Sequence, residues 1–235
     1  LVLSNSFFKN TINLMDDLEN LSTSTFKEII GPNTITLENL YNNSFNSTKN
    51  IKYLFFYKNC ILCNNDSFTI SFVNTAYFHS IYNYEFYIHK FNNLLIDFLL
   101  ESFNEIIKLK GIKEDKNWLT LKEKFDYFIK IIMLNQIELA LEFLKNNLVG
   151  IGNGFTPAGD DFTLGFLAVL NNFKLSITEK ADFFRDKIKI ILNRSTFVSR
   201  KILEYSIENR FNDLISNFLK NIANENIKDL KKSML

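Results

Sequence analysis

Ile88-His89-Lys90-Phe91-Asn92-Asn93-Leu94-Leu95-Ile96-Asp97-Phe98-Leu99-Leu100-Glu101-Ser102-Phe103-Asn104-Glu105-Ile106-Ile107 is where the chain changes character. Ile88, Phe91, Leu94, Leu95, Phe98, Leu99, Phe103, Ile106 and Ile107 recur at i, i+3 and i+4, the spacing of one buried helix face. Downstream the same period predicts helices over about 120–134, 136–147, 157–173, 178–192, 196–209 and 211–223. The polar tail, 224–235, is expected to fray. Upstream, short runs of β-branched and aromatic residues at 34–37, 51–57 and 67–73 read as strands. The Asn-rich segments 42–50 and 64–66 read as turns, and a short helix is expected over about 4–19. The expected class is α+β: an N-terminal, mostly antiparallel β-layer (1–87), then a larger C-terminal helical part (88–235). The two are expected to share an interface in one compact unit.

Five of the seven glycines and one of the two prolines fall in Gly150-Ile151-Gly152-Asn153-Gly154-Phe155-Thr156-Pro157-Ala158-Gly159-Asp160-Asp161-Phe162-Thr163-Leu164-Gly165. Glycine accepts positive φ and lets backbone approach closely, so this segment is the candidate functional centre. Gly150, Gly152 and Gly154 make a turn, Thr156 suits an N-cap and Pro157 the first helical position. A loop of this kind presents N–H groups and the positive end of a helix dipole to a phosphate or carboxylate. The dinucleotide fingerprint fails in both registers, ending on Phe155 or Pro157. A Walker A loop fails because Asp160 and Asp161 stand where Lys and Ser/Thr belong. Two acids point instead to a bridging Mg²⁺, a general base, or an amide-bearing substrate. Either acid alone could simply complement the dipole, but that does not account for Gly159 beside them. Gly165 reads more simply as a site of close helix packing.

All four arginines, Arg185, Arg194, Arg200 and Arg210, lie downstream of the loop, where a guanidinium fork could hold carboxylate or phosphate. Thr196 and Ser199 are one helical turn apart; they either donate to a ligand or cap a helix. The candidate site is thus Asp160 and Asp161 as catalytic groups, with Gly150, Gly152, Asn153, Gly154, Thr156, Gly159, Arg194, Thr196, Ser199 and Arg210 binding substrate.

Other features exclude function classes. A net charge of +1 gives no footprint for nucleic acid. No apolar run reaches the roughly 18 residues of a membrane span, and no signal peptide is expected. Phenylalanine is frequent, 25 residues against one Trp, and is read as compositional drift rather than a binding surface. Cys60 and Cys63 form one Cys-x-x-Cys between strand-like runs, not at a helix start, so buried or incidental thiols and a cytoplasmic location are expected. A zinc site would need two more ligands, and His79 and His89 have no suitable spacing.

The glycine segment resembles the hallmark of the family called domain of unknown function 2877, whose usual centre is Leu-Thr-Pro-Ser-Gly-Asp-Asp. Here Phe155 stands for Leu and Ala158 for Ser, so that serine hydroxyl is missing. Ser195-Thr196-Phe197-Val198-Ser199-Arg200-Lys201-Ile202-Leu203 and Asn209-Arg210-Phe211 resemble the family's second block, where Gly usually stands at the place of Asn209. Ser6-Phe7-Phe8, Ile12-Asn13 and Gly31-Pro32 add weaker likeness. The family includes the AllH subunit of oxamate carbamoyltransferase, in purine and allantoin catabolism. The resemblance implies carbamoyl transfer between oxamate (as oxalurate) and phosphate to give carbamoyl phosphate, with AllF-like (FdrA-like) and AllG-like partner subunits. It further implies that the loop holds the anion, that Asp160 or Asp161 accepts from the carbamoyl NH₂ or holds a metal, and that Arg194, Arg200 or Arg210 neutralises developing charge. Mg²⁺ is the one candidate cofactor. Two other readings stay open: a non-catalytic anion-binding or scaffolding subunit, and a metal-dependent hydrolase using the Asp pair. No Ser-His-Asp or Cys-His set is visible, so no covalent intermediate is expected on this chain.

Overall fold

The computed structural model describes residues 2–8, 11–16, 21–25, 34–36, 53–57, 60–63, 69–71, 93–109, 116–173 and 180–234. The expected domain boundary at 87/88, both histidines, and the turn segments 42–50 and 64–66 lie outside these residues. The chain divides into two compact units, Leu1–Ser80 and Ile81–Leu235.

In the first unit, the strands are β1 (Val2–Phe8), β2 (Thr11–Asp16), β3 (Leu21–Thr25), β4 (Thr34–Thr36), β5 (Tyr53–Tyr57), β6 (Cys60–Cys63) and β7 (Thr69–Ser71). They are ordered β4-β3-β2-β1-β5-β6-β7. β3 and β4 pair in parallel and the other neighbours antiparallel. The helix expected over 4–19 is corrected: β1 and β2 pair from Val2↔Asp16 to Phe8↔Thr11. Ile12 and Leu14 alternate with Thr11 and Asn13, a period of two that suits a strand. Cys60 to Cys63 is an extended segment, unlike the helix start of a redox Cys-x-x-Cys.

The second unit is built from helices α1 (Asn93–Leu109), α2 (Lys116–Met133), α3 (Ile137–Asn147), α4 (Ala158–Asn172), α5 (Ala181–Ile191), α6 (Phe197–Ile207), α7 (Asp213–Ala223) and α8 (Ile227–Met234). A single 3₁₀ turn, Leu192–Arg194, links α5 to the segment before α6. One core gathers Phe128 from α2, Leu144 and Leu148 from α3 and its end, Leu167 from α4, Ile188 from α5 and Leu203 from α6. A second gathers Leu95, Ala168, Phe173, Phe211, Leu219, Ile222 and Leu230. Each fully buried side chain of this kind contributes about 1.5–3 kcal/mol.

This finding corrects the α+β class for the unit that carries the glycine loop. Among its described residues every regular element is helical, and no strand enters either core. Apolar helix faces meet one another and form both cores. The unit is all-α.

Helix α4 supplies side chains to both cores, which fixes the axis on which the glycine loop sits. The abundant phenylalanines serve these interiors: Phe125 stacks on Phe162 at 4.2 Å, and Phe128 meets Phe166 edge-on at 5.0 Å. The tail does not fray as expected. Asn226 accepts from the Asp229 N–H at 3.3 Å, α8 forms, and Leu230 is fully buried beside Leu95 in the second core. No helix among the described residues is long and apolar enough to cross a membrane.

Candidate functional site

The loop between α3 and α4 is fastened by its own backbone. The Leu148 carbonyl accepts from the Ile151 N–H at 2.9 Å, and the Ile151 carbonyl accepts from the Gly159 N–H at 2.9 Å. The second bond satisfies a donor in the first turn of α4 that a capping side chain would otherwise serve. The expected Thr156 cap is therefore corrected. Pro157, with φ −56° and ψ 143°, is the N-cap residue, it makes no side-chain cap bond, and the helix starts at Ala158.

Gly150 and Gly159 are two of the three glycines that close approach to backbone requires. A Cβ on Gly150, which has φ +76°, would lie 2.4 Å from the Arg194 carbonyl oxygen. A Cβ on Gly159 would lie 2.0 Å from the Leu148 carbonyl oxygen. Gly159 is thus explained by backbone packing, and it does not by itself demand a ligand. Gly165 shows the reverse: nothing lies within 4 Å of its Cβ position, so the packing reason expected there does not hold.

The two neighbouring acids have different surroundings. Asp160 is 1% exposed. Its Oδ1 accepts from the Gly150 N–H at 2.7 Å, and its Oδ2 accepts from the Ser195 hydroxyl. It ties the start of the loop to the segment that opens α6. Asp161 is exposed in residue terms, yet the surrounding protein removes part of its carboxyl's hydration. That desolvation, and next the charge of Asp160, push its pKa from 3.8 up to about 6.

A pH dependence follows. A carboxyl raised in the fold favours the folded state fully below its ordinary value, and that contribution is lost as pH rises through about 6. Asp161→Asn removes the loss. Its melting temperature is expected to exceed that of wild type at pH 7–8 and to match it near pH 3.5, read by thermal melts across that range. A constant offset at every pH would defeat the assignment.

Thr196 is the N-cap of α6: its Oγ1 accepts from the Ser199 N–H at 3.2 Å and donates to the Phe155 carbonyl. Of the two readings of Thr196, the cap is present, and its hydroxyl also grips the loop. Ser199 is buried in the first turn of α6. Gly152, Asn153, Gly154, Phe155 and Thr156 form an exposed stretch that leads into α4, whose first turn carries Asp161. The Arg194 guanidinium reaches Asn146 Oδ1 at 3.4 Å on the surface, and its carbonyl borders Gly150. Arg210 is not brought to the loop. It follows the far end of α6, an 11-residue helix about 16 Å long, and sits 4.7 Å over the Tyr205 ring and 3.6 Å from Glu208. Arg185 bonds Asp182 and Asn171, and Arg200 lies 5.6 Å over the Phe197 ring.

Ser195 is the site residue that sequence reasoning missed. Its partner is 35 residues away, beyond any local pattern; a serine just before the Thr196 cap was the available hint. The end of α6 explains Asn209. Its φ is +59°, the left-handed conformation that glycine and then asparagine accept, and its Oδ1 accepts from Asn172 Nδ2 at 2.9 Å.

Among the described residues, no three His, Cys, Asp or Glu side chains gather into a set that could hold a metal. The Asp160–Asp161 pair does not fit Mg²⁺ well, because both Asp160 oxygens already serve the loop and the Ser195 hydroxyl.

A model of the family described as oxamate carbamoyltransferase subunit AllH matches residues 148–235. No curated protein and no solved structure matches the chain. The match bears on the AllH part of the resemblance, not on the name domain of unknown function 2877. Its span holds the glycine loop, both aspartates, Ser195 and the helices from α4 to α8. Over residues 148–235 the chain is similar to the AllH family.

Proposed function

We propose that this chain is the AllH-like subunit of an oxamate carbamoyltransferase and that its glycine loop takes a small anionic substrate. The family match supports the subunit assignment. The observation that carries the site is the juxtaposition, at one helix N-terminus, of an exposed glycine loop with Asp161, a carboxyl titrating at about 6.

In this reading the positive end of α4 and the loop from Gly152 to Gly154 hold a carboxylate or phosphate, with Arg194 at the rim. A phosphate oxygen attacks the ureido carbonyl carbon of oxalurate. The bond from that carbon to the oxamate nitrogen breaks, and the nitrogen takes a proton. Asp161 supplies it from its acid form and is reprotonated from water; oxamate and carbamoyl phosphate leave. A carboxyl near pH 6 exists in both forms at neutral pH, which suits it to give this proton and to take it in the reverse reaction. Asp160 holds the loop. No step is assigned to Mg²⁺. AllF-like and AllG-like subunits complete the assembly.

The test is carbamoyl phosphate formation from oxalurate and phosphate by the complete assembly. Asp161→Asn is expected to lower kcat by roughly 100-fold or more while the subunit stays folded and assembled. Unchanged turnover by that variant would reassign the chain to the non-catalytic role.

A further inference from the structure

The Ser195–Thr196 dipeptide reaches the glycine loop by two routes, one through Asp160 and one direct. The Ser195 hydroxyl donates to Asp160 Oδ2, whose other oxygen holds the Gly150 N–H at 2.7 Å. The Thr196 hydroxyl donates to the Phe155 carbonyl. These bonds grip the loop where it leaves α3 and again just before α4. The exposed tip between them, around Gly154, has nothing within 4 Å of its Cβ position and φ +91°. A glycine tip of this kind has many backbone conformations available, and its donors converge only if both flanks are fixed.

The dipeptide is itself anchored. Thr196 caps α6 through the Ser199 N–H, and the far end of α6 is fastened to α4. Asn171 Nδ2 donates to the Ser206 carbonyl at 2.7 Å, and Asn172 Nδ2 donates to Asn209 Oδ1 at 2.9 Å. Helix α6 is therefore pinned along α4 at both ends, and Ser195–Thr196 presents its hydroxyls from a rigid support.

We infer that Ser195 and Thr196 are positioning residues that hold the glycine loop in its anion-binding conformation without touching the anion. This rests on the reading of the loop as the substrate site. The second half of the site is then a pair of hydroxyls at the start of α6 that organise the loop, and the arginines there do not act through them.

The test uses the full chain and four variants: Ser195→Ala, Ser195→Thr, Thr196→Val and Thr196→Ser. Binding of oxamate and of inorganic phosphate is measured by calorimetry at a temperature where melts show every variant folded. Hydrogen exchange of the backbone amides from 150 to 159 is measured on the same samples. Ser195→Ala and Thr196→Val are expected to raise exchange in the loop while the amides of α2 and α5 stay protected. Probe affinity is expected to fall by roughly 10- to 100-fold. Ser195→Thr and Thr196→Ser, which keep the hydroxyl, are expected to restore both readouts. Wild-type affinity or wild-type loop exchange in Ser195→Ala overturns the inference, as does failure of both hydroxyl-retaining variants to recover. If wild type binds neither probe, the anion reading of the loop falls. Exchange then decides the positioning claim by itself: faster loop exchange with hydroxyl rescue upholds it, and unchanged exchange overturns it.

Discussion

Gly159→Ala is expected to destabilise the helical unit by about 3 kcal/mol. The added Cβ would lie 2.0 Å from the Leu148 carbonyl oxygen and 2.8 Å from its carbon, both backbone atoms that no rotamer change can move. Relief requires α4 to shift away from the end of α3, which stretches the 2.9 Å bond from the Gly159 N–H to the Ile151 carbonyl. Against this stands alanine's intrinsic helix preference, at most about 1 kcal/mol. The clash is larger, so the sign is destabilising. The same substitution at Gly165, six residues along α4, is expected to have the opposite sign. Its Cβ meets nothing within 4 Å, so helix preference alone acts and adds up to about 1 kcal/mol. Urea unfolding midpoints of the two variants should move in opposite directions. A Gly159→Ala midpoint at or above wild type would show that α4 does not press on α3 as described.

Asp160→Ala is the second large effect, at about 3 kcal/mol or more. Hydrogen bonds to a charged group contribute roughly 1.5–3 kcal/mol each, and Asp160 makes two, from the Gly150 N–H and the Ser195 hydroxyl. Their loss also leaves the Gly150 donor without its acceptor and a gap where a 1% exposed side chain had been. Asp160→Asn should cost less, since the amide keeps one acceptor oxygen and the serine hydroxyl can rotate to accept. Both variants remove the charge beside Asp161. The Asp161 midpoint, about 6 in wild type, is therefore expected to fall, though not fully, because desolvation is the larger cause. Urea unfolding reads the first effect, and carboxyl-carbon NMR titration of Asp160→Asn reads the second. An Asp161 midpoint that stays in place would remove Asp160 from the electrostatics of the site.

What the sequence disclosed was local. The glycine cluster, the helix it opens and the Thr196 cap are patterns within a few residues, where backbone preference and hydrogen bonding act. Contacts that join distant segments were hidden. Ser195 meets Asp160 across 35 positions, and the Leu148 carbonyl that requires Gly159 lies at the C-cap of the preceding helix. Thr156 was expected to cap α4, but the Ile151 carbonyl meets that need, and such a bond leaves no mark in residue type. The tail reads as polar, and the burial of Leu230 depends on Leu95, far away along the chain. The α+β expectation was made for the whole chain, whereas the described residues around the glycine loop are helical and gather into two cores.

The shared role of α4 reaches beyond the site. A helix that lends side chains to both cores makes them one cooperative folding unit, because neither can open without exposing apolar surface of the other. The chain's last helix, although it contributes no group to the loop, thereby shares in the free energy that keeps the loop's donors aligned.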